Sequence, residues 1–261
     1  MAGRSIGFVP TMGALHKGHV SLISEAKKSA DVVIASIFVN PTQFNNPEDL
    51  LKYPRTIEKD TEMLNKAHCD ALFLPTVEEI YPTSEKGHWD FGLLTSSLEG
   101  HFRPGHFDGV LTVVKKFFEI IMPDKAFFGE KDFQQLSLIQ KMADFERLNV
   151  DVVNCPIVRE EDGLAMSSRN MRLSDVERKR SLAISRALFN VKATGTSFSP
   201  GELKKMTEAE LNAAEGIRLE YFEIVDAATF TPLTEWKVGA KPIALLAAYV
   251  GDVRLIDNIM L

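Results

Sequence analysis

The sequence predicts an α/β protein in which a Rossmann-like parallel sheet is followed by a smaller α+β domain. Short apolar runs without strict alternation recur through the first part of the chain, as in strands that are covered on both faces. Amphipathic helical patterns lie between these runs, and strands that alternate with helices form parallel sheets with right-handed crossovers. Near residue 158 the pattern changes to helices followed by strands. We therefore expect two domains, at residues 1–157 and 158–261.

The first domain contains five predicted strands and at least two long helices. The strands lie at residues 5–9, 31–39, 71–75, 125–129 and 150–158. One helix is predicted from Gly18 because Val20, Ile23 and Ala26 fall on one face. A second is predicted at residues 109–121, where apolar residues recur at helical spacing.

The second domain begins with helices that carry N-terminal signals. Ser174 and Glu177 form a capping-box pattern that predicts a helix at residues 174–191. Ser199, Pro200 and Glu202 predict the start of another helix in the same way. Strands follow at residues 219–227, 242–250 and 253–261, and the Gly-Asp pair at 251–252 suits a two-residue hairpin turn. The segment VREEDGLAMSSRN, residues 158–170, is the candidate hinge between the domains.

The composition excludes several classes of protein. The chain has 261 residues, of which 45% are hydrophobic, and its net charge of -6 provides no broad basic face for nucleic acid. The sequence contains no apolar run of about 18 or more residues and no long apolar signal core, so we expect a cytoplasmic protein without a membrane span. Cys69 and Cys155 lie far apart and outside any CxxC pair, which predicts neither a disulfide framework nor a thiolate zinc site.

The stretch TMGALHKGH, residues 11–19, follows the first predicted strand. Gly13 and Gly18 allow a close approach of the backbone, and the amides at the helix start offer donors and a positive dipole to an anion. His16 and His19 add side-chain donors at the same place, so the stretch can hold a phosphate chain. Two alternatives remain open at this point: a helix start that happens to carry histidines, and a fragment of a metal site.

Three more polar clusters follow predicted strands. Because parallel strands bind ligands beyond their carboxyl ends, we expect the clusters to meet at one edge of the sheet. Asp132 suits either ribose hydroxyls or a helix cap, and the two serines in AMSSRN also suit a turn. The clusters comprise the amides of Asn40 and Gln43, the group Lys131, Asp132 and Gln135, and the group Ser167, Ser168 and Arg169.

Seven segments in this order resemble the pantoate–β-alanine ligase family: VPTMGALHKGH, FVNPTQF, YPRT, RPGHFDGVLTVV, FGEKDFQQL, GLAMSSRN and RLIDNI. HKGH resembles the HIGH signature of the wider nucleotidylyl transferase superfamily. MSSR takes the place of its mobile KMSKS loop, with Ala165 and Ser168 where that loop has lysines. The resemblance implies a Rossmann-like nucleotidylyl transferase domain with a C-terminal lid domain. It also implies that pantoate reacts with ATP to give pantoyl adenylate and pyrophosphate, after which the β-alanine amine displaces AMP to give pantothenate.

The family's site residues carry over onto matching positions. The resemblance implies four catalytic residues, His16, His19, Lys131 and Arg169, with His19 as the candidate proton donor. It implies pantoate contacts at Gln43 and Gln135, a magnesium role for Asp60, and a position bordering the pocket for Arg103. The implied ATP contacts are Met12, Gly13, Ala14, Leu15, His16, Lys17, Gly18, His19, Gly129, Glu130, Lys131, Asp132, Val158, Met166, Ser167, Ser168 and Arg169.

The resemblance further implies a homodimer with small-molecule substrates only, and ATP and Mg²⁺ at the site. Family members usually carry a strand and a helix before the segment that corresponds to IGFVPTMG, so the sheet is expected to lack an edge element. A cytidylyltransferase would share the first loop and the fold, but it would not require the NPTQF and GEKDFQQ amides together with MSSRN. A non-catalytic nucleotide-binding protein is the other alternative, and the retained His16, His19, Lys131 and Arg169 weigh against it.

Overall fold

A computed structural model of the chain describes residues 3–83 and 87–261. The chain divides into two compact units, Met1–Val158 and Arg159–Leu261. No helix in the described ranges is both long enough and apolar enough to cross a membrane.

The first unit is built on a five-stranded parallel sheet, which confirms the predicted fold class. The strands in sequence are β1 Ile6–Thr11, β2 Val32–Ile37, β3 Ala71–Phe73, β4 Lys125–Gly129 and β5 Asp151–Cys155. Their order in the sheet is β3-β2-β1-β4-β5, and all neighbouring pairs are parallel. The order therefore reverses between β1 and β4, and crevices at such switch points are where open α/β sheets bind ligands.

Three strands of this sheet are shorter than predicted, and the third of the sheet's strands ends at Phe73. The second ends at Ile37 and the fifth at Cys155, although the apolar sequence continues in both cases. Gly129, the last residue of β4, is the partner of Cys155. The backbone beyond this pair has no neighbouring strand in register, so apolar sequence alone does not extend the sheet there.

Helices cover this sheet. Helix α1 buries Leu22, Ile23 and Ala26, whereas the predicted core residue Val20 is only half-buried. Helix α7 begins at His106, one turn before its predicted start, and buries most of its length. The helices of this unit are α1 Lys17–Ser29, α2 Pro47–Lys52, α3 Ile57–Lys66, α4 Val77–Ile80, α5 Leu93–Ser96, α6 Glu99–Phe102, α7 His106–Ile121 and α8 Phe133–Phe145.

The second unit packs helices against an antiparallel sheet of order β6-β7-β8. The strands are β6 Ile217–Asp226, β7 Pro242–Val250 and β8 Val253–Met260, and the predicted hairpin is confirmed by the pairing of Val250 with Val253. The helices are α9 Asp175–Arg180, α10 Leu182–Thr194 and α11 Pro200–Ala213.

The prediction of one continuous helix at residues 174–191 is wrong. The chain breaks at Ser181, a buried residue whose hydroxyl donates to the Arg178 carbonyl at 2.7 Å. Serine side chains offer the backbone alternatives to regular helical bonding, and here the break separates α9 from α10. The capping boxes at Ser174 and Ser199 are both confirmed.

Candidate active site

The loop after β1 is held by hydrogen bonds to helix α3. Gly13 and Ala14 both adopt left-handed backbone conformations, with φ of 80° and 49°. The Ala14 and Leu15 amides donate to the two carboxylate oxygens of Asp60 on α3, at 2.9 and 2.8 Å. Asp60 is only 2% exposed, so these are buried, charge-assisted hydrogen bonds.

The two histidine rings accept hydrogen bonds from backbone amides at the start of α1. His16 is the N-cap, and its Nδ1 accepts the Gly18 amide at 3.1 Å. His19 Nδ1 in turn accepts the His16 amide at 3.2 Å. The Gly18 amide, one of the amides predicted to face an anion, is thus paired with His16 in this structure, and its contact with phosphate stays a prediction. With both Nδ1 atoms acting as acceptors, the tautomer assigned to each ring carries its proton on Nε2.

Burial keeps both imidazoles neutral. It lowers the pKa of His16 from 6.5 to about 3, with further lowering by the charges of His19 and Lys131. It lowers the pKa of His19 from 6.5 to about 4, and Lys131 again adds to the effect. Each ring therefore offers a neutral Nε2–H at pH 7. The Nε2–H of His19 is thus available as a hydrogen-bond donor, and the role of His19 as a proton donor in the reaction stays a prediction.

Lys131 and Asp132 follow β4, the neighbour of β1 in the sheet. They form a short 3-10 turn, Glu130–Asp132, in which Lys131 Nζ lies 3.6 Å from Asp132 Oδ2. Asp132 occupies the N-cap position of α8, yet within the described residues its side chain makes no capping hydrogen bond there. The capping alternative is thus not seen. The loops after β1 and β4 flank the switch point of the sheet, which is the expected place for a nucleotide.

Gln43 is held with a defined amide orientation. Its Oε1 accepts from Asn40 Nδ2 at 3.1 Å, and its Nε2 lies 3.0 Å from the Met12 sulfur. Asn40, which the sequence suggested as a ligand amide, is 1% exposed and also donates to the Gly109 carbonyl. Sulfur is a weak acceptor, so the Gln43 NH₂ group is better placed than the Asn40 NH₂ group to donate to a ligand hydroxyl or carboxylate.

Residues around Gln43 include two that the sequence reasoning did not assign. His106 Nδ1 lies 2.8 Å from the Gln43 carbonyl oxygen, and the Tyr81 hydroxyl donates to Asn40 Oδ1 at 2.8 Å. Arg103, expected to border the pocket, lies 2.9 Å from His106 Nε2. The spacing of Arg103 and His106 across the start of α7 was a signal for this pairing, whereas nothing local links Tyr81 to Asn40.

The adjacent glutamines of α8 have different environments. Gln134 is 3% exposed, and its amide bonds the Leu94 and Ser97 carbonyls and the Glu99 amide. Gln135 is half-buried, and none of the described residues bonds its amide. Gln135 therefore keeps its hydrogen-bonding capacity for a ligand, whereas Gln134 holds neighbouring helices together.

The segment with Met166, Ser167, Ser168 and Arg169 belongs to the second unit and is folded. Arg159 pairs with Ala165 as an isolated bridge and binds Asp257 with both guanidinium NH groups, at 2.7 and 2.9 Å. Ser167 Oγ accepts the Arg169 amide at 3.2 Å and starts the 3-10 turn Ser168–Arg172. The turn role expected as an alternative for Ser167 is thus present, and its phosphate role stays a prediction.

The residues that the structure describes were expected to include a magnesium ligand at Asp60. Among residues 3–83 and 87–261 no group of three or more His, Cys, Asp or Glu side chains is arranged for a metal. The carboxylate of Asp60 already accepts two amides and the Thr56 hydroxyl. Its magnesium role therefore stays a prediction that the donor set does not support.

The chain is similar along nearly its whole length to one family of known proteins. The family model described as pantoate-beta-alanine ligase matches residues 1–260. A pantothenate synthetase of Phocaeicola vulgatus is 50% identical over 258 residues, covering 98% of this chain and 92% of that protein. One from Christiangramia forsetii is 50% identical over 261 residues, covering 99% and 92%.

Solved structures agree as well. The crystal structure of pantothenate synthetase from Thermus thermophilus has a TM-score of 0.92 at 43% identity, covering 98% of this chain and 92% of that one. The pantoate-beta-alanine ligase from Francisella tularensis has a TM-score of 0.81 at 37% identity, covering 100% and 91%. The chain therefore belongs to the pantoate–β-alanine ligase family.

Proposed function

We propose that this ligase joins pantoate to β-alanine in two steps at the strand ends of its first unit. In the first step the pantoate carboxylate attacks the α-phosphorus of ATP, forming pantoyl adenylate and releasing pyrophosphate. In the second step the β-alanine amine attacks the acyl carbon and AMP leaves. Family membership supports the overall reaction, and the Francisella tularensis relative is described as complexed with β,γ ATP and β-alanine.

One observation carries the proposal: two neutral imidazoles with Nε2 protons stand after β1, next to the loop of Lys131 after β4. A carboxylate is already a nucleophile, so adenylation needs no enzymic base, only alignment and charge stabilisation. We assign His16 and His19 as donors to phosphate oxygens and Lys131 as their cationic partner. Because the two imidazoles are neutral, Lys131 remains the cation among these three side chains. The hydrogen bonds of the two Nδ1 atoms fix the orientation of the rings before ATP arrives.

Pantoate is assigned to the amides of Gln43 and Gln135. Gln43 presents its NH₂ because Asn40 holds its oxygen, and a neutral amide binds a hydroxyl or carboxylate without changing the charge beside the nucleophile. β-Alanine is assigned to the neighbourhood of Gln43.

We assign the second unit a role in binding ATP phosphates. The two hydroxyls of Ser167 and Ser168 and the guanidinium of Arg169 form a donor set suited to phosphate, with Met166 and Val158 assigned near the nucleotide. The domain roles proposed are nucleotide and pantoate binding for residues 1–157 and a lid for residues 158–261.

Magnesium is proposed to arrive with ATP. Mg²⁺ in nucleotide sites is held largely by phosphate oxygens and water, and its chemistry is to offset phosphate charge. No step above depends on a protein ligand to it. A homodimer in the cytoplasm is proposed on the family resemblance, and sedimentation of the purified chain tests the dimer.

The deciding experiment mixes the chain with ATP, pantoate and β-alanine and measures AMP, pyrophosphate and the amide product. Stoichiometric AMP, pyrophosphate and pantothenate are expected. Pyrophosphate without an amide would indicate a nucleotidylyl transferase. Tight ATP binding without turnover would indicate a nucleotide sensor.

A further inference from the structure

We propose that Asp60 is a positioning residue, the carboxylate that holds the HKGH loop in its working shape, and that it does not bind magnesium. The inference rests on the function proposed above for His16 and His19. Asp60 lies 46 residues along the chain from the Ala14 amide that it binds.

The loop after β1 has a strained backbone at Ala14. Two consecutive left-handed residues, Gly13 and Ala14, turn the amides of Ala14 and Leu15 toward one side. An alanine in this region is strained, so the conformation persists only where the surroundings impose it. Asp60 supplies that constraint, because each of its oxygens accepts one of the two amides.

Most of the hydrogen-bonding capacity of the Asp60 carboxylate is already used. Thr56 Oγ1 donates to Asp60 Oδ1 at 3.1 Å, so three donors converge on a side chain with about four lone-pair sites. A Cβ at Gly13 would lie 3.0 Å from Asp60 Oδ2, which shows how closely the loop packs on the carboxylate. A metal at Asp60 would have to share the carboxylate with these three donors, and any buried amide that it displaced would be left unpaired at a cost in free energy.

The residues that Asp60 holds lead directly into the two histidines. His16 follows Leu15 directly, and the His16 amide donates to His19 Nδ1. That bond keeps the His19 proton on Nε2, where a phosphate oxygen can accept it. Releasing residues 14 and 15 would free the His16 amide, and His19 would lose the bond that selects its tautomer.

The test compares Asp60→Asn with Glu58→Gln, an exposed residue on the same helix whose change removes the same charge. Asparagine has one acceptor oxygen, so its NH₂ must face one of the two loop amides. All structural measurements use the whole chain with EDTA and without ATP. Hydrogen exchange follows residues 11–16, and ¹⁵N NMR reports the His19 tautomer.

For Asp60→Asn we expect at least tenfold faster exchange across residues 11–16 and a mixed His19 tautomer in metal-free protein, with Glu58→Gln like the wild type. The Mg²⁺ concentration for half-maximal adenylation should stay within about twofold. Unchanged exchange and tautomer, together with a tenfold higher Mg²⁺ requirement, would overturn the proposal in favour of a metal ligand.

A second pair of variants keeps the question decidable if Asp60→Asn does not fold. Thr56→Val removes the hydroxyl donor to Asp60, and Thr56→Ser restores it. We expect about threefold faster exchange in Thr56→Val and recovery in Thr56→Ser, and equal exchange in both would count against the anchor. Because these readouts need no turnover, failure of the proposed reaction is seen separately, in the wild-type assay.

Discussion

Replacing His16 by Asn separates the two jobs that the structure gives this side chain. His16 Nδ1 caps α1 by accepting the Gly18 amide at 3.1 Å, and its Nε2–H is the proposed donor to phosphate. The Asn side-chain oxygen lies close to where Nδ1 lies and still caps the helix, but Asn has no group at the Nε2 position. His16→Ala, the companion variant, removes both functions.

The magnitudes differ enough to be measured independently. Losing an N-cap costs about 1 kcal/mol of stability, which applies to His16→Ala and not to His16→Asn. Losing one donor to a developing charge costs about 10² to 10³ in rate. We therefore expect both variants to adenylate pantoate about 10² to 10³ times more slowly, while only His16→Ala is less stable by about 1 kcal/mol.

The assay is single-turnover pyrophosphate release, combined with calorimetry of ATP binding and urea unfolding at neutral pH. A transition-state role predicts that the rate falls far more than ATP affinity does. Near-normal release by His16→Asn would refute the donor role. Equal losses in rate and affinity would show that His16 binds the ground state just as strongly.

Three further outcomes are expected. The pKa values of His16 and His19 lie below the unfolded value of 6.5, so below about pH 6.5 the unfolded chain binds more protons than the folded chain does. The free energy of unfolding therefore falls as the pH falls, until the pH reaches the folded-state pKa of about 4 for His19 and about 3 for His16. Between about pH 7 and 5.5 this amounts to about 1 kcal/mol per histidine. In a variant with Asn at both positions, the free energy of unfolding by urea should change less steeply with pH than in the wild type. The same pH dependence in both proteins would contradict the lowered pKa values. Gln43→Ala should weaken pantoate binding by about 0.5 to 1.5 kcal/mol and leave ATP binding intact, so unchanged pantoate affinity by calorimetry would reject its assignment. ATP should protect residues 160–170 from hydrogen exchange, and Arg169→Ala should remove much of that protection while slowing adenylation; exchange that ignores saturating ATP would favour a surface role for the segment.

The candidate site was predicted only in part, because residues were easier to name than to orient. The motifs placed His16, His19 and Lys131 after neighbouring strands, and the sheet order brings those strand ends together. The direction of each hydrogen bond was not predictable. Gln134 and Gln135 are adjacent residues of the same type, and no local signal distinguishes them. Among the described residues only the Gln134 amide is bound by neighbouring side chains or backbone, because Gln134 faces the buried side of α8.

The sequence by itself determined the features whose causes are local. Serine caps at 174 and 199 bond amides three residues away, the turn at 251–252 spans two residues, and the apolar runs specify which segments become strands. Tertiary structure decided the features whose partners are distant in the chain. The Asp60 carboxylate meets Ala14 only after β1, β2 and α3 have assembled, and the neutral state of the histidines needs the burial and the Lys131 charge that folding provides. The physical reason is that capping and turn formation act within one turn of the chain, whereas burial and long-range hydrogen bonds depend on what the fold places alongside.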